Sequence, residues 1–384
     1  MKDQITLKTK AKETRTDIYI GFDLLQDPHL LDLCKKLNCR LAVITDTNVG
    51  KHYGQPLLNF LVEAGLDATL HVFKAGEKSK SREVKAHLED ELFKAGHGRG
   101  SCLIAMGGGV TTDLVGYIAA TFCRGIPYFS IPTSLLAMVD ASIGGKTGIN
   151  VAFGKNLIGA THHPLAIFMD LSILNTLSEA GMREGTAEII KHGLIAHKHL
   201  FEMLDENLDK WNERDMPFFK KLVYESAQVK CKVAETDPTE KGMRRMLNFG
   251  HTIGHAIETL ENYQMPHGEA VAIGMVVESL ISLKLKKIEE AEFDEIYRLL
   301  RSMQYKFTFS HRVTSEKILD VMRFDKKAKG QIPRFVILDG IGKVESFKDA
   351  YCTEIDETLL MEALGWMVAE FYQGVEETNG PLSH

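Results

Sequence analysis

The chain has 384 residues, enough for two ordinary domains with separate cores. Its 44% hydrophobic and 26% charged residues are those of a globular protein in water. A net charge of −6 excludes bulk electrostatic binding to nucleic acid or to an anionic membrane.

Six scattered cysteines, Cys34, Cys39, Cys102, Cys123, Cys231 and Cys352, form no CxxC pair. Neither a thiolate zinc site nor a disulfide framework is expected. Residues 1–15 are polar, and no uncharged apolar run approaches the roughly 20 residues of a membrane span. A cytoplasmic protein is expected.

In chain order, residues 41–45 (LAVIT) read as a strand, followed by a helical pattern over 57–64. Residues 68–73 read as a second strand and 79–95 as a charged helix. Residues 101–106 form a third strand ending in Gly107-Gly108-Gly109, with a helix over 112–122. A fourth strand covers 128–131 and is stopped by Pro132. Strands alternating with helices predict a parallel sheet covered on both faces. Residues 140–156 (DASIGGKTGINVAFGKN) predict a hairpin and loop.

Beyond residue 177 the pattern turns helical, over 184–195, 217–234, 243–260, 268–285 and 292–303. Only 334–338 (RFVIL) reads as a late strand, and the last dozen residues read as a frayed end.

Three patterns point to chemistry. Glycines after a strand let backbone amides approach a pyrophosphate, and a following helix adds its positive end. Here Gly107-x-Gly109 is present, but Thr112 stands where a third glycine would fall. The second pattern is His251-Thr-Ile-Gly-His255, two imidazoles on one helical face, with His267 twelve residues on. By spacing alone, His251 and His255 are the ligand pair, with Glu188 a carboxylate candidate upstream. Third, Arg124, Lys146, Lys155, Lys191, Lys230, Arg244 and Lys326-Lys327 lie beside apolar or Gly-rich sequence rather than in charge runs. Such cations suit a substrate with more than one negative charge.

In order and spacing, the blocks GGGVTTDLVGYIAATFCRG, IPTSLLAMVDASIGGKTGIN, GKNLIGA, AEIIKHGLI, RRMLNFGHTIGHAIE and PHGEAVAIGM resemble the 3-dehydroquinate synthase family of the shikimate pathway. The resemblance runs from about residue 41 to 342. It implies a Rossmann-like α/β NAD-binding domain over 1–180 and a mainly helical metal- and substrate-binding domain over 181–384. It maps the metal ligands, for zinc or cobalt, onto Glu188, His251 and His267, and makes His255 a substrate-side residue. The NAD set becomes Asp46, Asn48, Glu77, Lys80, Gly108, Gly109, Val110, Asp113, Thr133, Ser134, Lys155 and Thr176.

For substrate the resemblance implies Asp140, Lys146, Asn156, Lys191, Lys230, Arg244, Asn248 and one of Lys326 or Lys327. Arg124 would reach across a homodimer interface, and Glu240 and His255 would carry protons. The implied reaction is a lyase-type ring closure of 3-deoxy-D-arabino-heptulosonate 7-phosphate to 3-dehydroquinate with release of phosphate. It serves aromatic amino acid biosynthesis, and NAD is regenerated in each turnover.

Two alternatives share the architecture: a sedoheptulose 7-phosphate cyclase and a metal-dependent polyol dehydrogenase. Lys230, Glu240, Arg244, Asn248 and His255 fit the carboxylate-binding synthase better. Thr111-Thr112 departs from a more usual small or glycine pair before Asp113, a change expected to be tolerated.

Overall fold

The computed structural model describes residues 14–310, 312–324 and 332–372. Lys326, Lys327 and the C-terminal stretch expected to fray lie outside the described residues.

Among the described residues there are eight strands: β1 (Asp17–Gly21), β2 (Arg40–Asp46), β3 (Ala68–Phe73), β4 (Ser101–Gly107), β5 (Tyr128–Pro132), β6 (Lys146–Val151), β7 (Gly154–Thr161) and β8 (Ala166–Asp170). Six form one sheet in the order β1-β8-β5-β4-β2-β3, and β6-β7 form a separate antiparallel hairpin. The pairs β2–β3, β2–β4, β4–β5 and β5–β8 are parallel. Parallel strands need crossovers that cover both faces, which explains why β2 and β4 are apolar runs without alternation.

The two faces are nonetheless distinct. Ala42, Ile44, Leu103 and Ala105 pack on one side with Leu114, Val115 and Ile118 of the helix Gly109–Thr121. Leu41, Val43, Cys102, Ile104 and Met106 pack on the other with Leu30 and Cys34 of Pro28–Leu37 and Leu57 and Leu61 of Gln55–Glu63. Side chains of period two thus divide between two cores, and each buried Leu or Ile contributes roughly 1.5–3 kcal/mol.

The strand order contains a reversal. From β2 the chain adds β3 on one side, then returns to place β4 on the other, with β5 and β8 beyond it. The gap between β2 and β4 is therefore a topological switch point, where crevices open beyond the carboxyl ends of strands. The register pairs Thr45 with Met106, so Asp46 and Gly107 leave the sheet side by side.

The chain divides into two compact units. Of the described residues, the sheet unit holds 14–19, Asp23–Pro132 and Gly145–Met169; the second holds Thr133–Gly144, the short piece Ile20–Phe22 and those from Asp170 onward. A single boundary at residue 180 is the sequence expectation. The units instead part at Met169/Asp170, and Thr133–Gly144 joins the helical unit, because the turn Ala137–Ala141 packs against the helices Glu179–Ala196 and Met216–Thr236.

The second unit is built on the helix His267–Lys284, in which every residue from Gly268 to Ser282 is buried. A helix apolar on all sides belongs at the centre of a bundle. His251–Leu260 crosses it closely enough that a Cβ on Gly274 would stand 1.9 Å from the Gly250 carbonyl oxygen. Glu179–Ala196, begun by Ser178, whose side chain accepts from Gly181 N, packs on His267–Lys284, and Met216–Thr236, begun by Asp215, packs on Glu179–Ala196.

Three expectations need correction. The pattern over 243–260 is not one helix. A 3-10 turn, Met243–Asn248, is separated from His251–Leu260 by Gly250 at φ +77°, a conformation glycine adopts without steric cost. Residues 334–338 do not form a strand, since they make only isolated bridges, Phe335 to Thr353 and Leu338 to Val344. The helix expected over 79–95 starts at Arg82, after a 3-10 turn at Glu77–Ser79, because Ser81 is its N-cap. Residues 140–156 do contain the expected hairpin, β6–β7.

Candidate active site

In the sheet unit the helix Gly109–Thr121 begins at Gly108, which has no side-chain cap. The first amides of a helix have no intrahelical partner, so those of Gly109 and Val110 can hold an anion. Thr111, fully buried, donates its hydroxyl to Asp46 Oδ2 at 3.4 Å. A Cβ on Gly107 would stand 2.2 Å from Thr111 Oγ1, so the strand's final glycine makes the Thr111 variation sterically possible. Thr112 turns its hydroxyl back to the Gly109 carbonyl at 3.2 Å.

Asp46 also accepts the amides of Asn48 at 2.8 Å and Val49 at 3.1 Å, which aims its carboxylate over the switch point. Lys80, 5% exposed, pairs with Asp113 at 2.5 Å and with Asn156. Asn150 Nδ2 donates to Glu77 at 2.6 Å, while its Oδ1 accepts from Asn156 N at 2.9 Å. Asn156, at φ +59°, thus joins Lys80 in the sheet unit. Lys146 and Lys155 lie on the hairpin and are exposed, as is Arg124 at φ +71°.

The helical unit gathers charge in its interior. Glu188, 1% exposed, turns Oε1 toward Nε2 of His251 at 3.4 Å and Nε2 of His267 at 3.7 Å. That oxygen has no regular hydrogen bond. Three lone-pair donors facing one point, two of them imidazole, fit a divalent cation with an open position. The opposite ring nitrogens are held: His251 Nδ1 lies 3.1 Å from the Phe249 carbonyl and His267 Nδ1 3.5 Å from Glu258. Without a metal, a proton serves: burial opposes charging His267, but Glu188 and Glu258 outweigh it and raise it to about 10.

Glu188 Oε2 accepts from Lys191, one turn on and 2% exposed. Burial would lift Glu188, yet Lys191, His251 and His267 hold it well below the usual carboxylate range. Asp140 meets Lys230 at 2.5 Å; burial disfavours its charge, and Lys230 and Lys191 overcome that to keep it ionised. Burial in turn pulls Lys230 below the ordinary lysine value.

Arg244, 3% exposed, is aimed by the carbonyls of Pro238 at 3.3 Å and Gly144 at 3.5 Å. Asn248 donates to Glu240 at 3.0 Å, and Glu240 sits at φ +57°. Thr133 is buried, Ser134 Oγ accepts from Ala137 N at 3.2 Å, and Thr176 donates to Ile173 O at 3.0 Å; all three belong to the helical unit.

The spacing-based pair is not the converging one. His251 groups with Glu188 and His267, whereas His255 groups with Glu258 and His267. Sequence reasoning passed over three buried residues. His192 is fully buried between Ser226 at 2.8 Å and Asp140 at 3.9 Å, and burial with Lys191 pushes it down to about 3. Glu258 and Glu278 are the others; the HAIE block and an acid inside an apolar helix were their only signals.

Fold and site together define a two-unit enzyme class in which a Rossmann-like sheet unit is followed by a helical unit carrying a carboxylate–imidazole centre. Models of the N-terminal and C-terminal regions of 3-dehydroquinate synthase match residues 70–184 and 185–328. The chain belongs to the 3-dehydroquinate synthase family.

A 3-dehydroquinate synthase of Thermoanaerobacter pseudethanolicus is 38% identical over 87% of this chain and 94% of its own. Another, of Prochlorococcus marinus, is 37% identical over 93% of this chain and 99% of its own. Among solved structures, a 2-epi-5-epi-valiolone synthase of Streptomyces hygroscopicus, with NAD+ and Zn2+ bound, is similar at TM-score 0.85 and 27% identity, covering 95% of this chain and all of that one.

Proposed function

We propose that this chain closes 3-deoxy-D-arabino-heptulosonate 7-phosphate to 3-dehydroquinate and releases phosphate, using NAD and one divalent ion, zinc or cobalt. The observation that carries this reading is the convergence of Glu188, His251 and His267 on one point in a chain of this family. When bound, the dinucleotide supplies a hydride acceptor that is restored, and the cation polarises an alcohol oxygen.

The chain's own residues do the rest. The Gly109 and Val110 amides hold pyrophosphate, with Gly108, Asn48, Glu77, Lys80, Asp113, Thr133, Ser134, Lys155 and Thr176 completing the nucleotide set. Asp46 takes ribose hydroxyls. Arg244, steered by two carbonyls, pairs with the substrate carboxylate. Lys146, Asn156, Lys191, Lys230, Asn248 and Lys326 or Lys327 bind the remaining oxygens, while Asp140 fixes Lys230. His255 and Glu240 move protons at the reacting carbons and leaving oxygen.

A homodimer in which Arg124 serves the partner's site, and a cytoplasmic location, complete the proposal. Among the described residues no helix is long and apolar enough to cross a membrane.

A phosphate-release assay tests it. The heptulosonate phosphate should turn over with flat absorbance at the NADH wavelength, and a strong chelator should stop release until zinc or cobalt is returned. Preference for sedoheptulose 7-phosphate, or steady accumulation of NADH, would overturn the assignment in favour of a cyclase of that sugar or a polyol dehydrogenase.

A further inference from the structure

His251, His255 and Glu258 follow one another at i, i+4 and i+7 and so share one face of the helix His251–Leu260. His251 and His255 have their rings 5.3 Å apart. Glu258, 4% exposed, ends the row with Oε2 3.5 Å from His267 Nδ1. His267 is the first residue of the next helix, so its backbone enters the site at a point where the chain has just turned. An imidazole there can rotate about its side-chain bonds unless its far nitrogen is held.

We infer that Glu258 is a positioning residue: its carboxylate accepts a hydrogen bond from the Nδ1–H of His267 and thereby directs Nε2 toward Glu188 and the cation. This rests on the metal reading of Glu188, His251 and His267. An acceptor on the far nitrogen of a ligating histidine fixes tautomer and ring angle, and a charged one also makes the ligand more basic.

The two imidazoles of the centre differ in this respect. His251 is backed by the neutral Phe249 carbonyl at 3.1 Å, and His267 by a carboxylate. The same carboxylate, His255 and His267 lie within 4.8 Å of one another, a grouping that would otherwise read as a second cation site. One proton on Nδ1 satisfies Glu258 and His267 together, and Nε2 stays available to the cation beside Glu188.

The test is Co2+ affinity of the metal-free full-length protein, measured by competition with a chromophoric chelator. Glu258→Gln should weaken Co2+ binding about 10- to 100-fold, and Glu258→Ala at least as much. The metal-free forms should still unfold cooperatively, at a temperature lowered by loss of one partner of the charged His267. Affinity within twofold of wild type in the Gln variant overturns the inference and leaves the metal reading standing. So does a lowered metal-free melting temperature with unchanged affinity, the mark of a purely structural residue. Failure of the wild-type chain to bind Co2+ sinks the metal reading itself. Should Glu258→Ala not fold, the Gln variant alone decides.

Discussion

The sheet unit ends its switch point in an uncapped helix N-terminus, whereas the helical unit holds buried charge. At the switch point the groups are helix amides and a half-buried aspartate, and the apolar cores lie behind them. In the helical unit Glu188, Lys191, Lys230 and Arg244 are all under 10% exposed, and the packing that surrounds them makes each charge depend on a neighbour, while His192 and Glu278, buried as deeply, are held neutral. Removing a side chain from the first region trims a contact, the buried Lys80–Asp113 pair excepted. Removing one from the second strands its partner in low dielectric.

Substitutions should therefore divide along that line. Glu188→Ala leaves the Lys191 ammonium buried and unpaired, and should cost about 3–5 kcal/mol of stability together with phosphate release. Denaturant melts of the metal-free chain measure the first effect; a loss below 1 kcal/mol would contradict the picture of interdependent charges. Arg244→Ala should raise KM for the carboxylated substrate by about 2–5 kcal/mol in transition-state or ground-state binding, with a smaller change in kcat. An unchanged KM would remove the carboxylate assignment.

Glu278 sharpens the comparison from the opposite side. It is fully buried inside the central helix with the amides of Gly250, Thr252, Ile253 and Val336 turned toward it, and burial outweighs them and raises it well above the usual carboxylate value. The folded chain thus binds a proton that the unfolded chain releases above about pH 4.5, so Glu278 lowers stability as pH rises from there. Glu278→Gln should raise the melting temperature at neutral pH, by an advantage that disappears near pH 4. An equal gain at both pH values would show that the ionisation plays no part.

The smallest effect belongs to the sheet unit. His97, bonded to Thr69 at 2.7 Å and Ser101 at 3.1 Å, is pushed down to about 4, mainly by burial with help from Arg40. Its neutral form is favoured by the fold, so its contribution is complete above about pH 6.5 and is lost as pH falls through 4. His97→Gln should flatten acid destabilisation in that window, followed by melts at successive pH values.

Much of the sheet unit can be read directly from residue types. Residues 41–45 and 101–106 are apolar runs between turn signals, and they are β2 and β4. By contrast β1 and β8 went unpredicted: Ala166–Asp170 is five residues long, and its role depends on pairing with β5 far along the chain. Gly250 hid inside a helical period because its left-handed backbone is imposed by the close crossing of Gly274. The helices Lys198–Asp205, Ser315–Phe324 and Glu357–Phe371 were also passed over.

In the site, the i, i+4 spacing of His251 and His255 told which face they share but not what each faces. That depends on Glu188 arriving from another helix and on Glu258 sitting below His255. Family blocks supplied the ligand set that spacing could not.

Metal stoichiometry of three single variants tests the centre most directly. With Co2+ added to the metal-free chain, the account predicts one ion per chain in wild type and in His255→Ala, and loss of tight binding in His251→Ala and His267→Ala. Tight binding retained by His267→Ala but lost by His255→Ala would contradict it, and would return the ligand role to the i, i+4 pair.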